Sequence, residues 1–456
     1  MSKKKLAVGI GCFVFIAGVG IAAGMGITTA QSLFQEEQTG PKHIFLFIGD
    51  GMGSGVTRAT EAFLDVDLLF GDFPVTGIMN TDNVYGEVTD SAAAATAMAC
   101  GERTKNGRIG MDRDGIREWR PISEVLSDNG WAVGVLSSAP LNNATPAGFY
   151  GHALERTEVD TLAWQAVQST FLDVLGGGGF ALKEIDRESF LEEAENGGWK
   201  IADTQEELEN LDALEGPLLL MNEGKYSDPY MEYEIDRRRM EKYGGETFSL
   251  ADMTEKAIEL LEKEDRFFLM TESAMIDTAL HHGDLASAAF EVAALDDAVF
   301  EAVEFYNKHP NDTLIVVLAD HETGGLTLPS GYTLNIYDDQ CASWSRVSGY
   351  IRELLEEEAA DEDFLDMIDH YLGLGVSGIE LSDEEKDELL ELYHAGDRTE
   401  IRDALFRLLQ KKAKVSFSTG GHTGAPITVY AMGCGQEEFS GCFDNTEVFE
   451  IFSGWQ

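Results

Sequence analysis

Positive charge is scarce in this chain. Its 33 lysines and arginines stand against 82 aspartates and glutamates, giving a formal net charge of -49. The acid is spread from Glu36 to Glu450 rather than held in one tail. Such a surface repels nucleic acid and anionic membranes, so no nucleic-acid partner is expected. We read the excess as a solubility device for high salt, where screening removes self-repulsion; the plainer alternative is an ordinarily acidic protein. Cysteine is scarce too. There are five, with no CxxC pair to suggest a structural zinc site. Cys434 and Cys442 lie across a glycine-rich turn and would close a small loop in an oxidising compartment. Cys100 reads as a small buried hydrophobe, and Cys341 has no evident partner. Internal repeats are absent. The glycines at 176–179 lack the Lys-Ser/Thr of a phosphate-cradling P-loop and read as a flexible turn.

One long apolar run is present, at the N-terminus. Lys3, Lys4 and Lys5 precede an uncharged stretch from Leu6 to Ala30, the pattern of an export signal. Cleavage near Ala30 is expected, with an uncleaved membrane anchor as the second reading. Residues 31–41 read as a polar linker. Over the rest of the chain, short apolar runs alternate with helical stretches. Strands are expected at His43–Ile48, Trp131–Ser137, Phe171–Leu175, Arg266–Met270, Thr313–Ala319 and from Pro426 to Ala431, where the core ends. This alternation predicts an α/β fold with a mostly parallel sheet, residues 31–456 forming one domain. Two charged stretches interrupt it, about 185–250 and 345–412, and read as helical insertions without a strong strand.

The stretch from Val88 to Gly101 is the pivot. Val88 to Asp90 reads as the tail of an extended segment, and the alanines from Ala92 as helix. Ser91 then sits where an N-cap serine is expected. It also sits where the positive end of a helix favours a phosphate. Other strand ends carry Asp50, Glu272 and the pair Asp320 and His321. Asp277 and His281 are spaced to share a helix face, and His422 lies in a glycine-rich segment. Ligands in open α/β sheets bind beyond the carboxyl ends of strands, so these groups are expected to converge. Histidine with carboxylate suits zinc, and an all-oxygen set suits magnesium.

Six blocks in order now resemble the alkaline phosphatases: Gly49-Asp-Gly-Met-Gly53, Asp90-Ser-Ala-Ala-Ala-Ala-Thr-Ala97, Ala144-Thr-Pro-Ala147, Glu272 with Asp277 and His281, Ala319-Asp-His-Glu-Thr-Gly-Gly325, and Gly421-His-Thr-Gly424. The likeness covers the chain after the leader, apart from the two insertions. It implies a three-layer sandwich in which helices flank a central, mostly parallel sheet. It implies an exported enzyme, periplasmic or extracellular, that hydrolyses small-molecule phosphate monoesters as a homodimer. Ser91 would be the nucleophile that becomes phosphorylated. Two Zn2+ ions are implied, one held by Asp277, His281 and His422, the other by Asp50, Asp320 and His321. Asp50, Thr145 and Glu272 would hold one Mg2+. Arg156 would clamp the phosphate with its planar fork. Phosphodiester or sulfate-ester hydrolysis on the same metal core is the alternative chemistry, and a non-catalytic phosphate-binding protein the alternative from another class.

Two positions depart from the pattern. Asn143 stands where bacterial relatives have aspartate and mammalian ones histidine, and Thr278 where those enzymes carry lysine or histidine. Asn143 removes a negative charge near the implied magnesium. Thr278 removes a cation near the phosphate. Both are expected to tune the site.

Overall fold

The computed structural model describes residues 40–455, except 226, 246, 376 and 377. The export signal or anchor over 1–30, Cys12, and the linker up to residue 39 lie outside the described residues. Among the described residues no helix is long and apolar enough to cross a membrane.

Ten strands make the central sheet: β1 (His43–Gly49), β2 (Val75–Asn80), β3 (Ala132–Ser137), β4 (Val174–Gly177), β5 (Lys200–Ala202), β6 (Leu218–Met221), β7 (Phe267–Ser273), β8 (Thr313–Leu318), β9 (Ile427–Gly433) and β10 (Gly441–Asp444). Their order is β10-β2-β9-β8-β1-β7-β3-β4-β6-β5. Only β9 runs against its neighbours; every other pairing is parallel. The sheet is thus mostly parallel and flanked by helices. Strands β1, β3, β7 and β8 are buried along their whole length. That is why they appear in the sequence as unbroken apolar runs rather than alternating ones.

The register of these strands places the site. Ile48 on β1 and Ser137 on β3 both lie beside Glu272 on β7, and Ile48 also lies beside Leu318 on β8. Asp50, Glu272 and Asp320 therefore leave three adjacent strands at the same edge. Behind them, the long helix Leu285–Lys308 packs its apolar face on the sheet.

Several expectations are corrected. The stretch 185–250 is not without strands, since β5 and β6 lie in it. They are only three and four residues long, too short to show a period. The first glycines of the 176–179 run are not a flexible turn but the end of β4, buried in the sheet. A Cβ on Gly177 would lie 2.3 Å from the Ser137 carbonyl oxygen, so close strand approach explains the glycine. Val88 to Asp90 is loop; the strand before the alanine helix is β2, ten residues earlier. After β9 the chain continues through β10 to a last helix, Glu447–Ser453. Cys434 and Cys442 are both free thiols. Cys442 sits on β10 beside Ile78, while Cys434 leaves the far end of β9 beyond the partner of Leu314.

Candidate active site

Two helices present the site. The first, α1 (Ser91–Cys100), is buried on every side. Alanine makes this affordable: it loses no side-chain entropy and lets neighbours approach closely. Its N-cap is Asp90, not Ser91. Asp90 Oδ1 accepts from the Ala93 backbone N–H at 3.0 Å, and Ser91 is the first helical residue. An aspartate at this end also favours the helix dipole. Ser91 is thereby released from capping. Its Oγ lies 3.3 Å from His321 Nε2, 3% exposed.

The second helix, α2 (Met275–His281), follows β7 and puts Asp277 and His281 one turn apart on one face. His281 Nε2 is 3.1 Å from Asp277 Oδ2 and 3.2 Å from His422 Nε2. His422 lies on a two-residue strand paired with Glu322–Thr323, and its Nδ1 bonds to the Thr89 carbonyl at 2.9 Å. His281 Nδ1 likewise bonds to the Gly420 carbonyl at 2.7 Å. Those bonds fix both rings with Nε2 turned inward, the arrangement that ligating histidines use. Asp277, His281 and His422 offer ligand atoms within 4.8 Å of one another.

A second group shares the pocket. His321 Nε2 lies 3.2 Å from Asp320 Oδ2 and 3.5 Å from Asp50 Oδ1. Asp50, Asp277 and His321 also have ligand atoms within 4.8 Å of one another, so Asp277 stands between the two groups. Asp320 Oδ1 is occupied by the backbone N–H groups of Gly51 and His321. Gly51 has φ of 72°, and a Cβ there would meet Asp277 Oδ1 at 2.9 Å, so only glycine fits. Glu272 accepts from Ser137 Oγ.

The charge balance of this pocket is unusual. Asp50, Glu272, Asp277 and Asp320 are all buried. Burial, then repulsion from Asp320 and Asp277, pushes the Asp50 carboxyl well above its ordinary range. Burial raises Glu272 to about 7 and Asp320 to about 6. Burial lowers His321 to about 4 and also lowers His422. Asp277 goes the other way: burial opposes its charge, but the hydrogen bond from His281 and the nearby His321 hold it low. Asp50 Oδ1, Asp320 Oδ2 and Thr145 Oγ1 are buried with no hydrogen-bond partner. Buried acceptors without donors are costly unless a cation completes them. The donor set therefore fits bound metal: nitrogen and carboxylate oxygen at one side, oxygen alone at Asp50, Thr145 and Glu272.

Arg156 closes the pocket. Its Nη1 donates to Asp90 Oδ2 and its Nη2 to Asn143 Oδ1, each at 3.3 Å. Asn143 Nδ2 donates to the Tyr230 hydroxyl at 3.1 Å. Arg156, Asn143, Ser91, Asp50 and Asp277 line a cavity of about 120 Å3. Thr278 also lines this cavity: its hydroxyl is 2.6 Å from that of Tyr233, which accepts from Trp344 Nε1 at 2.6 Å. Every residue singled out from the sequence thus lies in or against one pocket.

Three supporting residues were not foreseen, and Asp90, which the motif includes, takes an unforeseen part. Thr323 donates to Asp277, Ser137 to Glu272, and Asp90 braces Arg156. Each stands at a strand end or beside a motif, a signal the sequence does carry. Tyr230 lies in the first insertion and has no sequence signal.

Similarity to known proteins agrees with this geometry. Residues 41–454 match the alkaline phosphatase family model. Alkaline phosphatase 3 of Bacillus subtilis is 30% identical over 435 residues, spanning 92% of this chain and 90% of that protein. Among solved structures, a cold-active alkaline phosphatase from the psychrophile Shewanella sp. superposes with a TM-score of 0.78 at 26% identity, covering 90% of this chain and 99% of that one. The enzyme of the Antarctic bacterium TAB5 gives 0.65 at 26% identity, covering 92% and 99%. Sequence, fold and pocket lead to one assignment: this chain belongs to the alkaline phosphatase family and is a phosphomonoesterase.

Proposed function

We propose that the enzyme hydrolyses phosphate monoesters through a phosphoserine on Ser91, at a centre of two zinc ions and one magnesium ion. The observation that carries this is Ser91 itself: a buried hydroxyl at a helix N-terminus, beside four buried carboxylates and facing Arg156. Asp277, His281 and His422 would hold one zinc, Asp50, Asp320 and His321 the other, and Asp50, Thr145 and Glu272 the magnesium. Variants of the TAB5 enzyme are described with Mg bound in the M3 site, which supports the third ion. Bound metal would supply the Lewis acidity that activates a serine hydroxyl and offsets charge on phosphate oxygens.

The protein's own groups do the rest. With the Ala93 N–H taken by the Asp90 cap, the Ser91 and Ala92 N–H groups at the start of α1 would be the ones to meet the phosphate. Arg156 offers two parallel N–H donors to two phosphate oxygens, held in place by Asp90 and Asn143. Ser91 Oγ attacks phosphorus in line, forming the serine–phosphate bond as the alcohol leaves; water then breaks that bond and restores the serine. The clamp touches only phosphate, so the alcohol can vary. Export is inferred from Lys3–Lys5 and the apolar run that follows, and a homodimer from the family resemblance.

Labelled phosphate tests the intermediate. Acid quenching during turnover should trap one equivalent on Ser91, with a matching burst of alcohol. Turnover without any label on Ser91, or unimpaired turnover by Ser91→Ala, would rule the intermediate out.

A further inference from the structure

Positive charge is rare in this chain, yet four cations gather at one place near the active site. Lys225, Arg346, Arg352 and Arg398 line a cavity of about 410 Å3, with Asp228 and Glu353 as its only acids. Even counting Asp236, which lies 3.9 Å from Arg346, the local balance is positive in a molecule whose net charge is -49. Arg352 and Arg398 are exposed, and neither has a carboxylate within 4.0 Å among the described residues.

This basic cavity lies near the catalytic pocket, with one further cavity between them. That intervening cavity measures about 630 Å3. It shares Tyr230, Thr278 and His281 with the pocket of Ser91, and Asp228, Trp344 and Ser345 with the basic cavity. Its walls carry Tyr230, Tyr233, Met275 and Trp344, so its middle is largely apolar. The three cavities therefore lie side by side, in order from the serine past an aromatic wall to the cations. Both insertions build them: Tyr230, Tyr233 and Lys225 come from the first, Trp344, Arg346, Arg352 and Arg398 around the second.

We propose that the alcohol of the favoured substrate carries a second anionic group, separated from the reacting phosphate by a ring-sized apolar body, and that the basic cavity binds that group. The substrate class is a phosphate monoester bearing a further phosphate or carboxylate. This rests on the phosphomonoesterase reading and narrows it. An anion there would gain charge-assisted hydrogen bonds from guanidinium forks. Elsewhere on this surface it would be repelled.

Two esters with the same leaving oxygen test it: 2-(4-carboxyphenyl)ethyl phosphate and 2-(4-methylphenyl)ethyl phosphate. The carboxylate ester should show the higher kcat/KM by roughly tenfold, about the worth of one charge-assisted hydrogen bond. The preference should shrink as salt is raised. In the variant carrying both Arg352→Gln and Arg398→Gln it should fall to within about twofold. Both substitutions are at exposed helix positions, where folding tolerates them. Equal or slower hydrolysis of the carboxylate ester by the wild-type protein would overturn the proposal, as would a preference that survives the double variant. If neither ester released phosphate, the phosphomonoesterase reading itself would fall, a result distinct from equal rates on both.

Discussion

Arg156 leans on Asn143: the guanidinium donates to the amide oxygen at 3.3 Å. Asp90 already supplies one ion pair to the fork at 3.3 Å, so a neutral Asn143 adds a second brace without a second negative charge competing with the phosphate. Asn143→Asp would add a negative charge beside the oxygen-lined site of Asp50, Thr145 and Glu272. The magnesium concentration for half-maximal activation should fall severalfold, while KM rises as Arg156 is drawn into a closer pair. A magnesium titration with parallel steady-state kinetics reads both changes. No shift in either would sever Asn143 from the third ion.

The clamp itself can be weakened without removing charge. Arg156→Lys replaces a planar fork with a point charge on a flexible stem. KM and the inhibition constant for phosphate should each rise about tenfold while turnover persists. Abolished turnover would show that Arg156 does more than bind.

Thr278 has a different environment. Its hydroxyl closes a chain running from Trp344 Nε1 through the Tyr233 hydroxyl to the Met275 carbonyl. Thr278→Lys places a cation near the phosphate and removes the hydroxyl partner of Tyr233. If product release limits turnover, the phosphate inhibition constant and kcat should fall together. Unchanged phosphate inhibition would show that this side chain does not reach the anion.

The buried carboxylates make stability depend on pH and metal together. Glu272 and Asp320 titrate near 7 and near 6 in the folded chain, above their ordinary 4.5 and 3.8. A raised carboxyl pKa contributes stability at low pH and loses it as pH climbs through the folded value. Metal-stripped protein should therefore lose Tm between about pH 4 and 7. Asp277 has the opposite sign, its contribution disappearing only in strong acid. Added zinc and magnesium should raise Tm more at pH 8 than at pH 5. Thermal scans with and without chelator check this, and an equal gain at both would contradict it.

Salt should stabilise the fold as a whole. A charge near -49 repels itself unless screened, and screening tightens from about 10 Å at 0.1 M to about 3 Å at 1 M salt. Tm should rise steadily into molar potassium chloride. A maximum in salt-free buffer would count against the high-salt reading.

The central sheet was legible because its middle strands are buried on both faces and so appear as bare apolar runs. The edges were not. Strands β5 and β6 are too short to carry a period, β10 lies beyond the last obvious apolar run, and the end of β4 is hidden in glycines. At the site, strand-end acids and histidines were legible together though weak singly. The cap was misread because two adjacent residues, Asp90 and Ser91, both suit it. Tyr230 was invisible because nothing local distinguishes a pocket-lining tyrosine in a helical insertion from a packing one.

The alanine helix has a consequence for how this enzyme wears out. Its ten residues are all buried, so the backbone amides behind Ser91 can reach solvent only through large openings of the molecule. Ala94 to Cys100 should rank among the slowest amides to exchange with deuterium. A nucleophile carried there has no cheap local route to disorder, so on heating it should stay in place until the surrounding core lets go. Loss of activity and loss of fold would then share one clock, unlike an enzyme whose reactive group rides on a loop.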